Sequence, residues 1–504
     1  MKRFFSLIFL SLLTSLGFAQ KKPNIVIIIS DDHSYQTIGA YGSKIGQTPN
    51  IDRIAKEGAI FNKAYVTNSI CGPSRAVLLT GKYSHKNGFK DNETSNFNHG
   101  QETFIKELTK VGYNTAWIGK IHLGHDLQGF TNYDVLVGQG HYFNPDFIGS
   151  AGRSRAEGYV SDIVTDKALD WIDKSKEKPF CVVIGHKATH RTWMPALEDF
   201  GKNDHKDFEI PQTFYDDYAS RVAAQQQEMS IDKDMVMGYD MKMYGTKQEM
   251  RKEGNFARMT DKQFEAYWNY YKPIYDDLKS KNLKGKELAE WKFRRYMIDY
   301  LNTAESMDRN IGRVLDYLKH NDLEENTLVI YLSDQGFFMG EHGWFDKRWM
   351  YEESFRTPLV AKLPNVIKPR SSIDQVVMNV DLAPTILELA GVQKPADMQG
   401  NSILPILKQN KEINKLAYYH YFENGEHAVS PHFGISDGRY KLIRFYKRVE
   451  GWEFFDMKSD PSELSNQYAN KKYQKQIKKM KSQLKSKIQE LDDIDALQVF
   501  NQPL

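Results

Sequence analysis

Short stretches of this 504-residue chain carry polar groups in combinations that can do chemistry. Asp31 and Asp32 end one apolar run, "KPNIVIIISDDHS", and Asp334 and Gln335 end another, "NTLVIYLSDQGF". Four oxygen donors brought from two segments suit a hard divalent cation, Ca2+ or Mg2+. Taken alone, the Asp pair reads equally well as a helix-capping turn. No cysteine/histidine spacing suggests structural zinc. Arg75, Lys120, His122, His190 and Lys347 add cations and imidazoles at loop positions. Each by itself reads as a solvated or structural residue. Together they describe a pocket for a compact dianion, held by charge-assisted hydrogen bonds, with histidines available as acid or base. Cys71 stands beside Pro-Ser-Arg in "CGPSRAVLLTGKY", with no neighbouring metal-type cysteine.

The elements that must position these groups repeat one pattern. "NIVIIIS" is apolar on both faces, as the central strand of a parallel sheet covered by helices must be. "TPNIDRIAKEGAIF" reads as a helix, with Thr48 as cap and Pro49 at its first position. "SRAVLLTGKY" reads as a helix starting just after Cys71. "TFIKELTKVGYNTAWIGKIHLG" is helix, strand and a loop carrying Lys120 and His122. "DKALDWIDKSKEKPFCVVIGHKATH" repeats it and delivers His190. Strands whose C-terminal ends all carry polar groups predict a doubly wound α/β sheet with one active edge. Beyond residue 400, "GISDGRYKLIRFY" and "WEFFDMKSDPSELSN" read as antiparallel strands with Asp-Gly and Asp-Pro turns. "KKYQKQIKKMKSQLKSKIQEL" comes next as a terminal helix, its lysines the wet face. The predicted organisation is a leader over 1–19, a catalytic domain over 20–400 and a smaller α+β subdomain over 401–504.

A net charge of +3 gives no reason to expect nucleic acid as a partner. Lys2 and Arg3 precede an apolar run of roughly fifteen residues, followed by Ala19 and Gln20, the pattern of a secretory signal peptide. That run is short of the about twenty residues a membrane span needs, and no later segment is apolar enough for one. Export to the periplasm or medium is the expectation. Exported chains often use disulfides, yet Cys181 is the only other cysteine and sits in an apolar strand, where a free thiol acts as a small hydrophobe. A Cys71–Cys181 bridge stands as the plain alternative.

"CGPSR" matches the signature Cys-x-Pro-Ser-Arg, and "LLTGKYSHKNG" its usual extension. "GKIHLG", "KATHRTWMP" and "SDQGFFMGEHGWFDKRWMYEESFRTPLV" match later blocks in the same order. On these motifs, over residues 22–465, the chain resembles the type I, formylglycine-dependent sulfatases of the alkaline-phosphatase-like superfamily. The likeness is to bacterial polysaccharide sulfatases of N-acetylglucosamine-6-sulfatase-like or arylsulfatase A-like type. The resemblance implies that a maturating enzyme, formylglycine-generating or anaerobic, oxidises Cys71 to formylglycine (3-oxoalanine), whose hydrate attacks sulfur and later eliminates sulfate. It further implies Asp31, Asp32, Asp334 and Gln335, with residue 71, as ligands of one Ca2+. Gln335 departs from the commoner Asn. Arg75 holds the aldehyde hydrate and the metal site, Lys120 and Lys347 hold sulfate, His122 pairs with the residue-71 hydroxyl, and His190 protonates the leaving oxygen.

The implied substrate is a sulfated polysaccharide or its oligosaccharides, from algal polymers such as ulvan or from glycosaminoglycan and mucin glycans. Arg191 and Trp193, with His427, His432 and Arg439 from the C-terminal region, are candidate sugar contacts, each equally readable as packing or surface. Three other readings stay open. One is a phosphate or phosphonate ester hydrolase on the same scaffold. Another is a glycan-binding protein that never matures. The third, a thiol hydrolase using Cys71 and His122, leaves the four oxygen donors without a role.

Overall fold

A computed structural model describes residues 22–409 and 416–504. The leader expected over 1–19 lies outside the described residues. Asn24–Ser30 is buried along its whole length. It pairs in parallel with Phe180–Gly185 on one side and Thr327–Ser333 on the other. Asn114–Gly119 and then Asn132–Leu136 continue the parallel series beyond Phe180–Gly185. Leu359–Lys362 and Ala59–Phe61 enter antiparallel beyond Thr327–Ser333, and Ser371–Ile373 closes that edge. Asp146–Gly149 and Gly152–Arg155 extend the other edge. The result is a ten-stranded mixed sheet, the doubly wound α/β architecture that the apolar strands predict. The outer strands escape the sequence reading because runs such as "NYDVL" and "GRSR" are polar and partly or wholly exposed.

Alternate side chains of the first strand enter opposite cores, as period-two geometry requires. Val26 and Ile28 pack with helices Val160–Ser175 and Gly285–His320. Ile25, Ile27 and Ile29 pack with Cys71–Thr80, Phe104–Lys110 and Leu382–Leu389. Each such burial contributes about 1.5–3 kcal/mol, so the middle of the sheet is a rigid base for its edge. Thr48 does precede the helix Pro49–Glu57, but its hydroxyl donates to the Asp52 carboxylate and accepts from the Gly39 N–H instead of capping the helix backbone.

Ala417–Tyr421, His432–Ser436, Tyr440–Phe445 and Gly451–Asp456 form a separate antiparallel sheet. The terminal helix Gln474–Leu491 buries Ile477, Met480, Leu484, Ile488 and Leu491 at helical spacing. Its lysines Lys475, Lys478, Lys479 and Lys485 are exposed. The small sheet shares a core with Tyr65, Val77 and Trp349 of the large layer, so it is anchored beside the active edge. Among the described residues no helix is long and apolar enough to cross a membrane. Cys71 and Cys181 are both buried and unpaired, which removes the disulfide alternative.

Candidate active site

Parallel strands deliver their C-terminal ends to one edge, and each candidate group lies just past such an end. Asp31 and Asp32 continue from Ser30, Asp334 and Gln335 from Ser333, Lys120 and His122 from Gly119, and His190 from the loop after Gly185. Gly119 has φ +94, and a Cβ there would press on the Gly185 carbonyl. That close approach lets the Lys120 N–H donate to the Gly185 carbonyl at 2.7 Å and turns the lysine into the site. The helix Cys71–Thr80 begins at residue 71, so its unsatisfied N–H groups and dipole favour an anion there. Gly72 is required next to it, since a Cβ would collide with the Asn92 side chain and the Phe89 ring.

These ends meet in one buried cluster. The Cys71 thiol, which stands where the oxygens of a matured residue would be, lies 3.1 Å from His122 Nδ1 and accepts from Asn92 Nδ2 at 3.4 Å. Arg75 is fully enclosed. Its Nε and one terminal nitrogen grip the Asp334 carboxylate at 2.9 and 2.8 Å, and the other terminal nitrogen donates to the Lys120 carbonyl at 2.6 Å. Lys120 pairs with Asp31, and Lys347 with Asp32 at 2.6 Å. Gln335 donates its amide to Asp32 at 2.5 Å. His190 Nδ1 is bound to the Arg191 carbonyl at 2.6 Å, and Nε2 faces Asp32 Oδ2 at 4.0 Å.

Burial acts against every charge in this cluster. It would raise the Asp31 carboxyl, but Lys120, Arg75 and Lys347 together hold it well below the usual range. Asp32 and Asp334 stay raised, because burial outweighs Lys347 at the first and Arg75 at the second. Burial, reinforced by Lys120, lowers His122 to about 3 and takes His190 well below its ordinary value, so both imidazoles rest neutral. Asp31 Oδ1 and Gln335 Oε1 are buried acceptors with no hydrogen-bond donor. Leaving such an atom bare costs about 1–3 kcal/mol. Two bare hard oxygens beside raised carboxyls fit a Ca2+ or Mg2+ ion. Asp31, Asp32 and His190 also offer ligand atoms within 4.8 Å of one another, but a hard cation favours the oxygens over the imidazole.

The candidate sugar contacts divide. Arg191 comes directly after His190 at the rim, its guanidinium clasped by Asp240 at 2.6 and 2.8 Å. His427 borders the cleft, its Nε2 2.8 Å from Asp346 and its Nδ1 bound to the Glu228 carbonyl. Three others are not brought to the cleft. Trp193 is 0% exposed, its ring packed on Tyr296, Phe337 and Phe345. His432 is sealed among Trp349, Tyr419 and Phe445 and accepts the Met350 N–H. Arg439 lies in the turn at the opposite end of its hairpin from His432, paired with Asp456. In each case a non-local partner captures the side chain.

Several residues at the cleft were not among the candidates. Gln139 Oε1 accepts from Lys120, and its Nε2 lies 3.3 Å from His122 Nε2. Lys187 donates to the Gln139 carbonyl at 3.1 Å, and burial together with Lys120 lowers this lysine to about 7. Glu423, from the C-terminal region, accepts the Asn92 N–H at 2.8 Å and so links the small sheet to residue 71. Asp346 and Arg348 flank Lys347, ion-paired at 2.9 Å and buried, with φ +79 and +90. Non-glycine residues held there cost about 1–3 kcal/mol each and persist where surroundings impose them, often at functional sites. The signals available in the sequence were their contiguity with Lys347 and their place in the block "SDQGFFMGEHGWFDKRWMYEESFRTPLV".

Residues 23–392 match the family described as Sulfatase, and residues 340–490 the family described as N-sulphoglucosamine sulphohydrolase, C-terminal. The chain is 43% identical over 491 residues to an N-acetylglucosamine-6-O-sulfatase of Bacteroides thetaiotaomicron, covering 94% of this chain and 88% of that one. A structure solved in complex with its substrate D-glucosamine-2-N,6-O-disulfate superposes with TM-score 0.92 at 41% identity, covering 96% of this chain and 100% of the other. A phosphonate monoester hydrolase of Silicibacter pomeroyi shares the fold alone, with TM-score 0.64 at 17% identity, covering 93% and 95%.

Proposed function

This chain belongs to the sulfatase family and is a sulfuric ester hydrolase; from that premise we propose that it removes the 6-O-sulfate of a glucosamine residue, N-acetylated or N-sulfated, in a sulfated glycan. The observation that carries the reading is the near-complete overlay on the structure holding a glucosamine 6-O-sulfate. Asp346 and Arg348 add a physical reason, since a rigid carboxylate–guanidinium pair beside Lys347 is suited to two neighbouring sugar hydroxyls.

In this reading residue 71 is matured by a formylglycine-forming enzyme, and Asp31, Asp32, Asp334 and Gln335 hold Ca2+. When present, the hydrated aldehyde supplies an oxygen nucleophile and the cation a Lewis acid for a sulfate oxygen. The chain's own residues do the rest. Lys120 and Lys347 turn from their aspartates toward the sulfate oxygens. Arg75 fixes Asp334 and the Lys120 backbone, so it keeps the pocket in register. His122, neutral and next to residue 71, takes a proton from the hydroxyl there. His190 keeps its Nδ1–H on the Arg191 carbonyl and presents Nε2 toward the site; Nε2 takes up a proton when the substrate's anionic sulfate is bound beside it and passes that proton to the departing sugar oxygen, which leaves poorly as an alkoxide. The basic, apolar leader directs export to the periplasm or medium.

The test is turnover on single sugars sulfated at defined positions, with intact mass measured on the same preparation. Matured protein should be about 18 Da lighter than the cysteine form. It should desulfate glucosamine 6-sulfates fastest, and Cys71→Ala should abolish turnover with the fold retained. Faster release from a galactose sulfate, or from a phosphate monoester, would overturn the assignment.

A further inference from the structure

Beside His190, outside the groups that hold sulfate, the surface carries a partly exposed aromatic residue. Tyr239 is 43% exposed. Its ring lies 5.4 Å from the Arg191 guanidinium, which covers the Phe345 ring at 4.9 Å on its way to the His427 edge of the cleft. The support beneath is rigid. Buried Asp240 takes both Arg191 hydrogen bonds and also accepts the Val236 N–H at 2.7 Å, while the Asp240 N–H donates to the Val236 carbonyl at 2.9 Å. Ring, guanidinium and ring therefore form a preorganised column whose outer member is open to solvent. Val236, 50% exposed, widens the apolar patch.

We infer that Tyr239, backed by Arg191, is a stacking platform for the sugar next to the sulfated residue, and that this neighbour is an uncharged hexose. Sugar rings present apolar C–H faces that lie flat on aromatic rings. The position fits, because Arg191 is the residue after His190, on the side of the departing sugar. The charge is set by the surroundings. Arg191 is already neutralised by Asp240, and Arg348 by Asp346 and Glu426. Tyr239 itself is pushed up by burial and, against the pull of Arg191, by Asp240, Glu253 and Glu426, so these carboxylates lie within electrostatic reach of it. A uronate or sulfated neighbour would meet repulsion from Glu253 and Glu426, whereas a neutral hexose would not.

The inference rests on the function proposed above. Its test uses three substrates: free 6-sulfated N-acetylglucosamine, the same sugar linked to galactose, and the same sugar linked to a hexuronate. The matured enzyme should favour the galactose-linked disaccharide in kcat/KM. Tyr239→Ala should cut the disaccharide-to-monosaccharide ratio about 3- to 10-fold, while Tyr239→Phe keeps it, since the ring face does the work. Glu253→Gln should narrow the gap between the two disaccharides. The inference alone is overturned if the hexuronate-linked sugar is as good or better, or if Tyr239→Ala lowers all three substrates by one factor. No turnover of any of the three by the wild type defeats the assigned function, and this inference with it.

Discussion

Removing the His190 imidazole should sort substrates by how badly their leaving groups need a proton. Its Nδ1 is committed to the Arg191 carbonyl at 2.6 Å, so Nε2 is the one nitrogen left to face the site, 4.0 Å from Asp32. The ring is partly open to solvent, at 17% side-chain exposure, so His190→Ala leaves no sealed cavity and the fold should hold. General acid catalysis contributes about 10²–10⁴ in rate. On a 6-sulfated sugar, whose alkoxide leaves poorly, kcat/KM should fall by roughly that factor. On 4-nitrophenyl sulfate, whose phenolate leaves unaided, the loss should stay below about 10-fold. Sulfate release by ion chromatography reads the first substrate and absorbance the second. Calcium-dependent thermal stability serves as the control for an intact site. Equal losses on both substrates would refute the acid role and return His190 to positioning.

The same geometry has other consequences. Arg75→Met leaves Asp334 buried without the guanidinium whose Nε and terminal nitrogen both reach its Oδ2, so unfolding free energy by urea titration should drop by about 3–5 kcal/mol. A loss below about 1 kcal/mol would mean that the carboxylate finds compensation elsewhere. Added Ca2+ should raise the melting temperature, by the equivalent of about 2.7 kcal/mol at a hundred times its Kd, and Gln335→Ala should shift the midpoint to higher Ca2+. An unchanged midpoint would remove Gln335 from the ligand set. Burial raises Glu453 to about 7, despite hydrogen bonds from Tyr351 and the Val222 N–H. In the unfolded chain it ionises near about 4.3, so between those values only the unfolded chain has lost the proton, and stability falls as pH rises. Glu453→Gln should therefore stabilise more at pH 8 than at pH 5, by at most about 1.4 kcal/mol for each pH unit that separates the folded and unfolded ionisations. The reverse order would contradict the neutral, buried carboxyl.

What could be read from the chain alone was whatever local pattern and signature motifs dictate. An apolar run such as Asn24–Ser30 has to lie in the middle of a sheet, because both its faces need cover. Parallel strands then carry the residues at their C-terminal ends to one edge, so Asp31, Asp334, Lys120 and His190 converge although they are far apart in the chain. The Cys-Gly-Pro-Ser-Arg stretch was sufficient to point to the family. The direction of loop side chains was not legible, because distant partners set it. Trp193 is captured by Tyr296 and Phe345, His432 by the small sheet's own aromatics, and Arg439 by Asp456. By the same mechanism Gln139, Asn92 and Tyr239, which carry no motif, are brought to the cleft. Periodicity and topology act through the backbone and are written residue by residue. The walls around a sugar arise from contacts between loops remote in sequence, and only the folded chain determines those.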